Sequence, residues 1–360
     1  MKLEKNNQIQ GAIYGLLVGD AVGVPYEFHH ADQLPALDEI EMVPPINFNR
    51  TYAHIPVGTW SDDGAQALCL LASLLHTDVQ TCDDAKTHAD AQTLANAKTH
   101  ANAQIDTELE TSAVEVSISV AQGVQVFDAE DFARRLSNWY RCGYMAVDFE
   151  VFDVGIQTRE ALVRFAEGVS ISDMGNTDER SNGNGSLMRC LPLALWHQGS
   201  DAELVAMAYA QSHLTHAHIR SKICCAFYCL WARYLLQGQE VNAAWDLAEA
   251  TLLSFYQHRP IELVELQSQV CPAQAFPIKG SGYVVDCLHS AKFALQQASY
   301  ADVIKAAIAL GNDTDTTACV AGGLAGIIFA DVGIPEHWMA ALRGRDLVDP
   351  LLATLLDTSA

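Results

Sequence analysis

Basic residues are scarce in this chain. Its 360 residues include 21 Lys and Arg against 44 Asp and Glu, a formal net charge of −23. Such a field repels nucleic-acid backbones and anionic lipid surfaces, so neither is expected as a partner. A small anionic substrate is compatible with it only where bound cations reverse the field locally. The chain also lacks Cys-x-x-Cys pairs and zinc-like spacings, although it holds ten cysteines. Cys69, Cys190, Cys224, Cys225, Cys229, Cys287 and Cys319 lie in apolar helical runs and read as buried free thiols of a reducing compartment. Long apolar runs are missing as well. The longest, Ala318–Ala330, falls short of the roughly 20 residues that span a bilayer. The stretch Gly11–Gly19 runs into Asp20 without a cleavage-like site, so it is not read as a signal peptide. A cytoplasmic protein, monomeric or a weak homo-oligomer, is the expectation.

Period-two alternation is nearly absent, with Glu41–Phe48 the one stretch worth considering as a strand. Apolar residues instead recur at three- and four-residue spacing. They predict helices over Ile9–Val22, Ala65–His76, Thr111–Gln122, Ala129–Cys142, Asp153–Gly168, Ser186–Gln198, Asp201–Thr215, Ile219–Leu236, Val241–Phe255, Tyr283–Gln297, Tyr300–Leu310 and Thr316–Phe329. Asp153, Asp201 and Thr111 read as helix starts. At 50 % hydrophobic composition such a chain can bury a large core. The expected fold is all-α: one domain over residues 1–360, a compact orthogonal bundle of many helices. Residues 77–110 stand apart. The tract repeats Ala-Lys-Thr-His-Ala-Asp-Ala-Gln (Ala85–Gln92) as Ala-Lys-Thr-His-Ala-Asn-Ala-Gln (Ala97–Gln104), and it is poor in large apolar side chains. It reads as a low-complexity surface insertion whose His88 and His100 are solvated.

Two acidic clusters each precede an apolar helical run: Ser61-Asp62-Asp63-Gly64 and Asp313-Thr314-Asp315-Thr316. Either alone is what an N-cap looks like. The second, however, opens Ala318–Phe329, which is almost purely apolar and must be buried, and after Lys305 the next basic residue is His337. Carboxylates buried there need cations or hydrogen bonds, and hard oxygen donors suit Mg²⁺, Mn²⁺ or Ca²⁺. Gly15, Gly19 and Gly23 form one smooth helical face beside the acidic Asp20 and Glu27. The loop Ser181-Asn182-Gly183-Asn184-Gly185 before an apolar run can aim backbone N–H groups at phosphate, though it is not a P-loop. His213, His216 and His218 lack metal-binding helical spacing and read as a polar loop with one ring on the substrate.

The order of these pieces resembles the ADP-ribosylglycohydrolase family of dinitrogenase-reductase-activating and ADP-ribosylarginine hydrolases. The matching motifs begin at Gly19-Asp20-Ala21-Val22-Gly23 with Pro25, Glu27 and Phe28, followed by Trp60-Ser61-Asp62-Asp63 and Gly183-Asn184-Gly185-Ser186 with Met188 and Arg189. Then come Leu214-Thr215-His216-Ala217-His218, Lys279-Gly280-Ser281-Gly282-Tyr283, Gly311–Thr316 and Ile334-Pro335 with Trp338. The resemblance implies an all-α bundle with two Mg²⁺ or Mn²⁺ ions at the base of a central cleft. Ser61, Asp62, Asp63, Asp313, Asp315 and Thr316 would be the metal ligands, with Glu27, Asp62 and Asp63 the catalytic carboxylates. Ser181–Gly185 would cradle the diphosphate, His216 would touch the ADP-ribose, and Gly282 and Tyr283 would lie toward its adenosine. The implied reaction is hydrolysis of the glycosidic bond between ADP-ribose and a protein side chain, most naturally arginine; the partner is then an ADP-ribosylated protein or ADP-ribose. Two other readings share the site: a metal-dependent phosphohydrolase of ADP-ribose-like nucleotides, recognised by liberated phosphate or AMP, and a silent member that binds no cation. Gly64 stands where the family usually has Thr, and Asn312 where it usually has Gly.

Overall fold

The structure, a computed structural model, describes residues 2–76, 125, 127–274 and 276–358. The tract 77–110 and the expected helix Thr111–Gln122 lie outside the described residues, and among the latter there are fourteen α-helices and no strand. The helices are α1 (Lys2–Gly23), α2 (Asp62–Leu74), α3 (Ala129–Cys142), α4 (Ile156–Ala166), α5 (Leu191–Trp196), α6 (Asp201–His213), α7 (Ile219–Leu236), α8 (Val241–Phe255), α9 (Pro260–Glu265), α10 (Val284–Ala294), α11 (Tyr300–Ile308), α12 (Thr314–Phe329), α13 (Glu336–Ala341) and α14 (Arg345–Thr358). None is long and apolar enough to cross a membrane, among the described residues. The all-α expectation holds, and the seven named cysteines are free and buried.

The most extensive helix contact joins α1 to α12, antiparallel. Glycines make it possible. A Cβ on Gly15 would lie 2.4 Å from the carbonyl oxygen of Gly322, one on Gly19 2.2 Å from that of Ala318, and one on Gly23 2.4 Å from Cα of Asp315. Backbones therefore touch along the whole stripe, which sets the start of α12 against the end of α1. Because the obstructing atoms are backbone, Gly19→Ala cannot be absorbed by rotating a side chain. It is expected to cost about 3 kcal/mol, read as a lower denaturant midpoint at unchanged slope; an unchanged midpoint would contradict the close approach.

Several boundaries differ from the sequence reading. Glu41–Phe48 forms no strand; Pro44 and Pro45 interrupt it. The run Ser186–Gln198 contracts to α5, because residues 186–189 form turns and Pro192 sits in its first turn. Asp153 does not start a helix: its φ is 55°, in the left-handed region, and α4 begins at Ile156. The helices α9, α13 and α14 were not expected, the first two being short.

Candidate active site

Three helix ends converge. α1 delivers Asp20 and, after a single 3₁₀ turn (Val24–Tyr26), Glu27; α2 begins at Asp62 and α12 at Thr314. The hydroxyl of Ser61 caps α2, accepting from the Asp63 N–H at 3.3 Å and donating to Asp63 Oδ2 at 3.0 Å. Asp20, wholly buried, accepts the N–H groups of Ser61 at 2.9 Å and Gly64 at 2.8 Å, which pins the start of α2 to α1. Across the gap, Thr316 Oγ1 donates to Asp63 Oδ2 at 3.3 Å, joining residues 253 apart in sequence. The two acidic helix starts therefore meet.

A further carboxylate joins them that sequence reasoning took for a helix start. Oxygens of Glu27, Asp153 and Asp315 lie within 4.8 Å of one another, as do those of Asp62, Asp63 and Asp153. Asp153 bridges the two groups. Its left-handed backbone turns it into the site, and Tyr52 donates its hydroxyl to Oδ1 at 2.8 Å. No local signal marks such a residue; an Asp outside a helix in an apolar stretch is the faint one available.

Burial, and then the neighbouring carboxylates, push these groups toward protonation. Glu27 is raised to about 11 by burial and by Asp153, Asp313 and Asp63. Burial lifts Asp20 to about 7 against the pull of its two N–H donors. Asp62, Asp63 and Asp315 are raised well above the carboxylate range, by burial first and mutual repulsion second. Three buried oxygens, Glu27 Oε2, Asp63 Oδ1 and Asp315 Oδ2, have no hydrogen-bond partner. Buried carboxyl oxygens left without a partner in a crowd of other carboxyl groups, with no Lys or Arg paired to them among the described residues, are what a hard divalent cation satisfies. The residues fit a metal site.

The other predicted pieces form the adjoining wall. The loop 181–185 pairs with 282–284: Asn184 N–H donates to the Gly282 carbonyl and Val284 N–H to the Asn182 carbonyl, each at 3.0 Å. Asn184 Nδ2 reaches Asp313 Oδ2 at 2.9 Å, so the loop is tied directly to the acidic cluster. Asn182 is structural, its amide holding Ser221, His218 and the Glu179 carbonyl. A Cβ on Gly185 would lie 2.9 Å from His216 Cε1, and one on Gly282 3.0 Å from Asp313 Oδ2. Of the three histidines, His216 thus lies against the loop; its imidazole is lowered to about 3 by burial and by Arg189, and stays neutral. His213 bonds the Ser172 carbonyl and His218 caps α7. Ser181 is half-buried at the loop's mouth. Tyr283 neighbours Phe276, with ring centroids 6.5 Å apart, and Arg220 at 6.0 Å.

Sequence and fold comparisons identify the family. Residues 1–359 match ADP-ribosylglycohydrolase as a family. The chain belongs to the ADP-ribosylglycohydrolase family. An ADP-ribosylarginine hydrolase of Pseudomonas putida is 27 % identical over 98 % of this chain and 78 % of its own length. The ADP-ribosyl-[dinitrogen reductase] glycohydrolase of Rhodospirillum rubrum is 26 % identical over 68 % of this chain and 79 % of its own. A solved structure titled ADP-ribosylglycohydrolase-related protein complex superposes at a TM-score of 0.67 and 26 % identity, covering 99 % of both chains.

The two departures from the ADP-ribosylglycohydrolase pattern have local reasons. A Cβ at Gly64 would lie 2.7 Å from Leu17 Cδ2 and 2.8 Å from Trp60 Cγ, so this packing leaves no room for Thr. Asn312 has φ 62°, a conformation Asn tolerates in place of Gly, and its Nδ2 bonds the Lys279 carbonyl at 2.8 Å. Neither displaces a carboxylate of the site.

Proposed function

We propose that this ADP-ribosylglycohydrolase hydrolyses the N-glycosidic bond of ADP-ribosylarginine in a protein, with two divalent cations, Mg²⁺ or Mn²⁺, in the acidic cleft. The observation that carries the reading is the Thr316–Asp63 contact, which closes two acidic helix starts into one buried cluster of orphaned oxygens. Ser61, Asp62, Asp63, Asp313, Asp315 and Thr316 would hold the ions. Bound there, such ions supply Lewis acidity toward ribose hydroxyls and water.

The rest of the chemistry falls to the chain. The loop 181–185, His216, Gly282 and Tyr283 take the ADP-ribose, the loop at the diphosphate and Tyr283 at the adenosine side. They fix the anomeric carbon over the carboxylates. Glu27, with Oε2 free of protein partners, would be a carboxylate once cations offset the neighbouring negative charges, and in that form it takes the proton of the attacking water as the water oxygen bonds to the anomeric carbon. The carbon–nitrogen bond breaks with its electron pair going to nitrogen, the leaving guanidine receives the proton that Glu27 took, and Asp62 and Asp63 stand beside the positive charge that builds on the sugar. Asp153, steadied by Tyr52, offers a carboxylate to the departing cationic side chain. The arginine preference is supported by the relatives' substrates and by that extra anion.

Peptides carrying ADP-ribose on arginine, serine and cysteine, incubated side by side with Mg²⁺ or Mn²⁺, are expected to release ADP-ribose fastest from arginine. Faster release from serine overturns the acceptor; AMP or phosphate as product overturns the bond.

A further inference from the structure

Behind the cleft lies a guanidinium that the reaction does not touch. Arg189 is completely buried, packed over the Phe132 ring at 5.2 Å, and no carboxylate among the described residues pairs with it directly. Its hydrogen bonds run in two directions. Nη1 donates to Gln66 Oε1 at 2.8 Å, and Gln66 Nε2 donates onward to Asp62 Oδ2 at 2.7 Å. Nη2 donates to Thr215 Oγ1 at 2.8 Å, and Thr215 Oγ1 lies 2.8 Å from His216 Nδ1. Two further donors, on Nε and Nη2, hold Gln211 at its side chain and its carbonyl, each at 3.0 Å.

Hydrogen-bond bookkeeping then fixes orientations that neither Gln66 nor His216 could fix alone. Arginine has donors only. It therefore forces the oxygen of the Gln66 amide toward itself and the NH₂ toward Asp62. At Thr215 it occupies an acceptor position of Oγ1. The hydroxyl proton then has His216 Nδ1 as its acceptor, Thr215 being wholly buried. With the proton on Nδ1 instead, that hydroxyl hydrogen would be buried unpaired, which favours the other tautomer by about tenfold to a hundredfold. The bare Nδ1 leaves the ring hydrogen on Nε2, and Nε2 faces the glycine loop: a Cβ on Gly185 would lie 3.3 Å from it and one on Gly183 3.5 Å.

We propose that Arg189 is the positioning residue that couples the two halves of the cleft, holding His216 as the Nε2–H donor toward the glycine loop through Thr215 and holding Asp62 toward the cation site through Gln66. The ADP-ribose and Mn²⁺ measurements below rest on the proposed function; the ring tautomer does not.

Three variants separate the arms. Long-range ¹H–¹⁵N correlation of the histidine rings, with His216 assigned by its loss in His216→Gln, is expected to show a bare Nδ1 and a protonated Nε2 in the unaltered protein. Thr215→Val is expected to lose the single tautomer and weaken ADP-ribose binding about tenfold by calorimetry, with Mn²⁺ affinity kept. Gln66→Met is expected to weaken Mn²⁺ by about tenfold or more while the His216 signals stay in place. Arg189→Lys, which cannot reproduce the planar fork, is expected to show both changes; if it does not fold, the other two variants decide. A protonated Nδ1 in the unaltered protein, an unmoved tautomer in Thr215→Val, or an unmoved Mn²⁺ affinity in Gln66→Met overturns the assignment. Failure of the unaltered protein to bind ADP-ribose or Mn²⁺ would count against the proposed function and leave the ring result standing.

Discussion

Asp315→Asn is expected to reduce release of ADP-ribose from arginine by at least about a thousandfold, roughly 4 kcal/mol of transition-state stabilisation, in a protein that folds normally. The substitution is close to isosteric. Asp315 Oδ1 accepts the Thr316 N–H at 2.9 Å, and an Asn oxygen can do the same, so the start of α12 should survive. What changes is Oδ2, the buried oxygen without a protein partner, which becomes an NH₂ that repels a cation. The variant should therefore lose its response to Mn²⁺ in calorimetry and in thermal denaturation. Without metal it should melt above the unaltered protein, because one anion has gone from a cluster whose members raise one another's pKa. Asp62→Asn should be equally inactive, with an added conflict where Gln66 donates to Oδ2. A folded Asp315→Asn protein with ordinary turnover would remove the acidic cluster from the reaction altogether.

The opposite behaviour of stability and activity at Asp315 follows from how the site is built, and the sequence showed most of that plan. Gly15, Gly19 and Gly23 at helical spacing announced a close helix contact, and α1 and α12 touch along that face. Asp62-Asp63 and Asp313–Asp315 stood before apolar runs, and those runs are buried helices, so their acidic starts are buried too. Such features are legible because spacing and composition within one segment carry them. Asp153 was not, because its place depends on a left-handed backbone and on Tyr52, about a hundred residues earlier in the chain. The turns at 186–189 were hidden for a similar reason: their side chains are buried like those of a helix, and periodicity cannot separate the two. Arg189 stood within a recognised motif, but its partners Gln66, Gln211 and Thr215 become neighbours only in the fold.

Chelation should make the protein's stability depend on pH with an unusual sign. A carboxylate whose pKa is raised by folding binds its proton more tightly in the native state than in the unfolded one. Stability then falls as pH rises, from the ordinary unfolded value near about 4 up to the native one. Asp20, at about 7, and Glu27, at about 11, set that window, and Asp62, Asp63 and Asp315 are raised in the same direction. Between about pH 5 and about pH 8, metal-free protein should lose about 1.4 kcal/mol per pH unit for each proton held in excess by the native state. Saturating Mn²⁺ or Mg²⁺ takes the place of those protons and competes better as they leave, so its stabilisation should grow with pH. Thermal midpoints in chelator and in excess Mn²⁺ should accordingly diverge as the solution becomes more basic. Midpoints in chelator that stay level or climb over that interval would mean that the carboxylates are already satisfied by the protein itself. The cleft would then have no charge for a cation to neutralise.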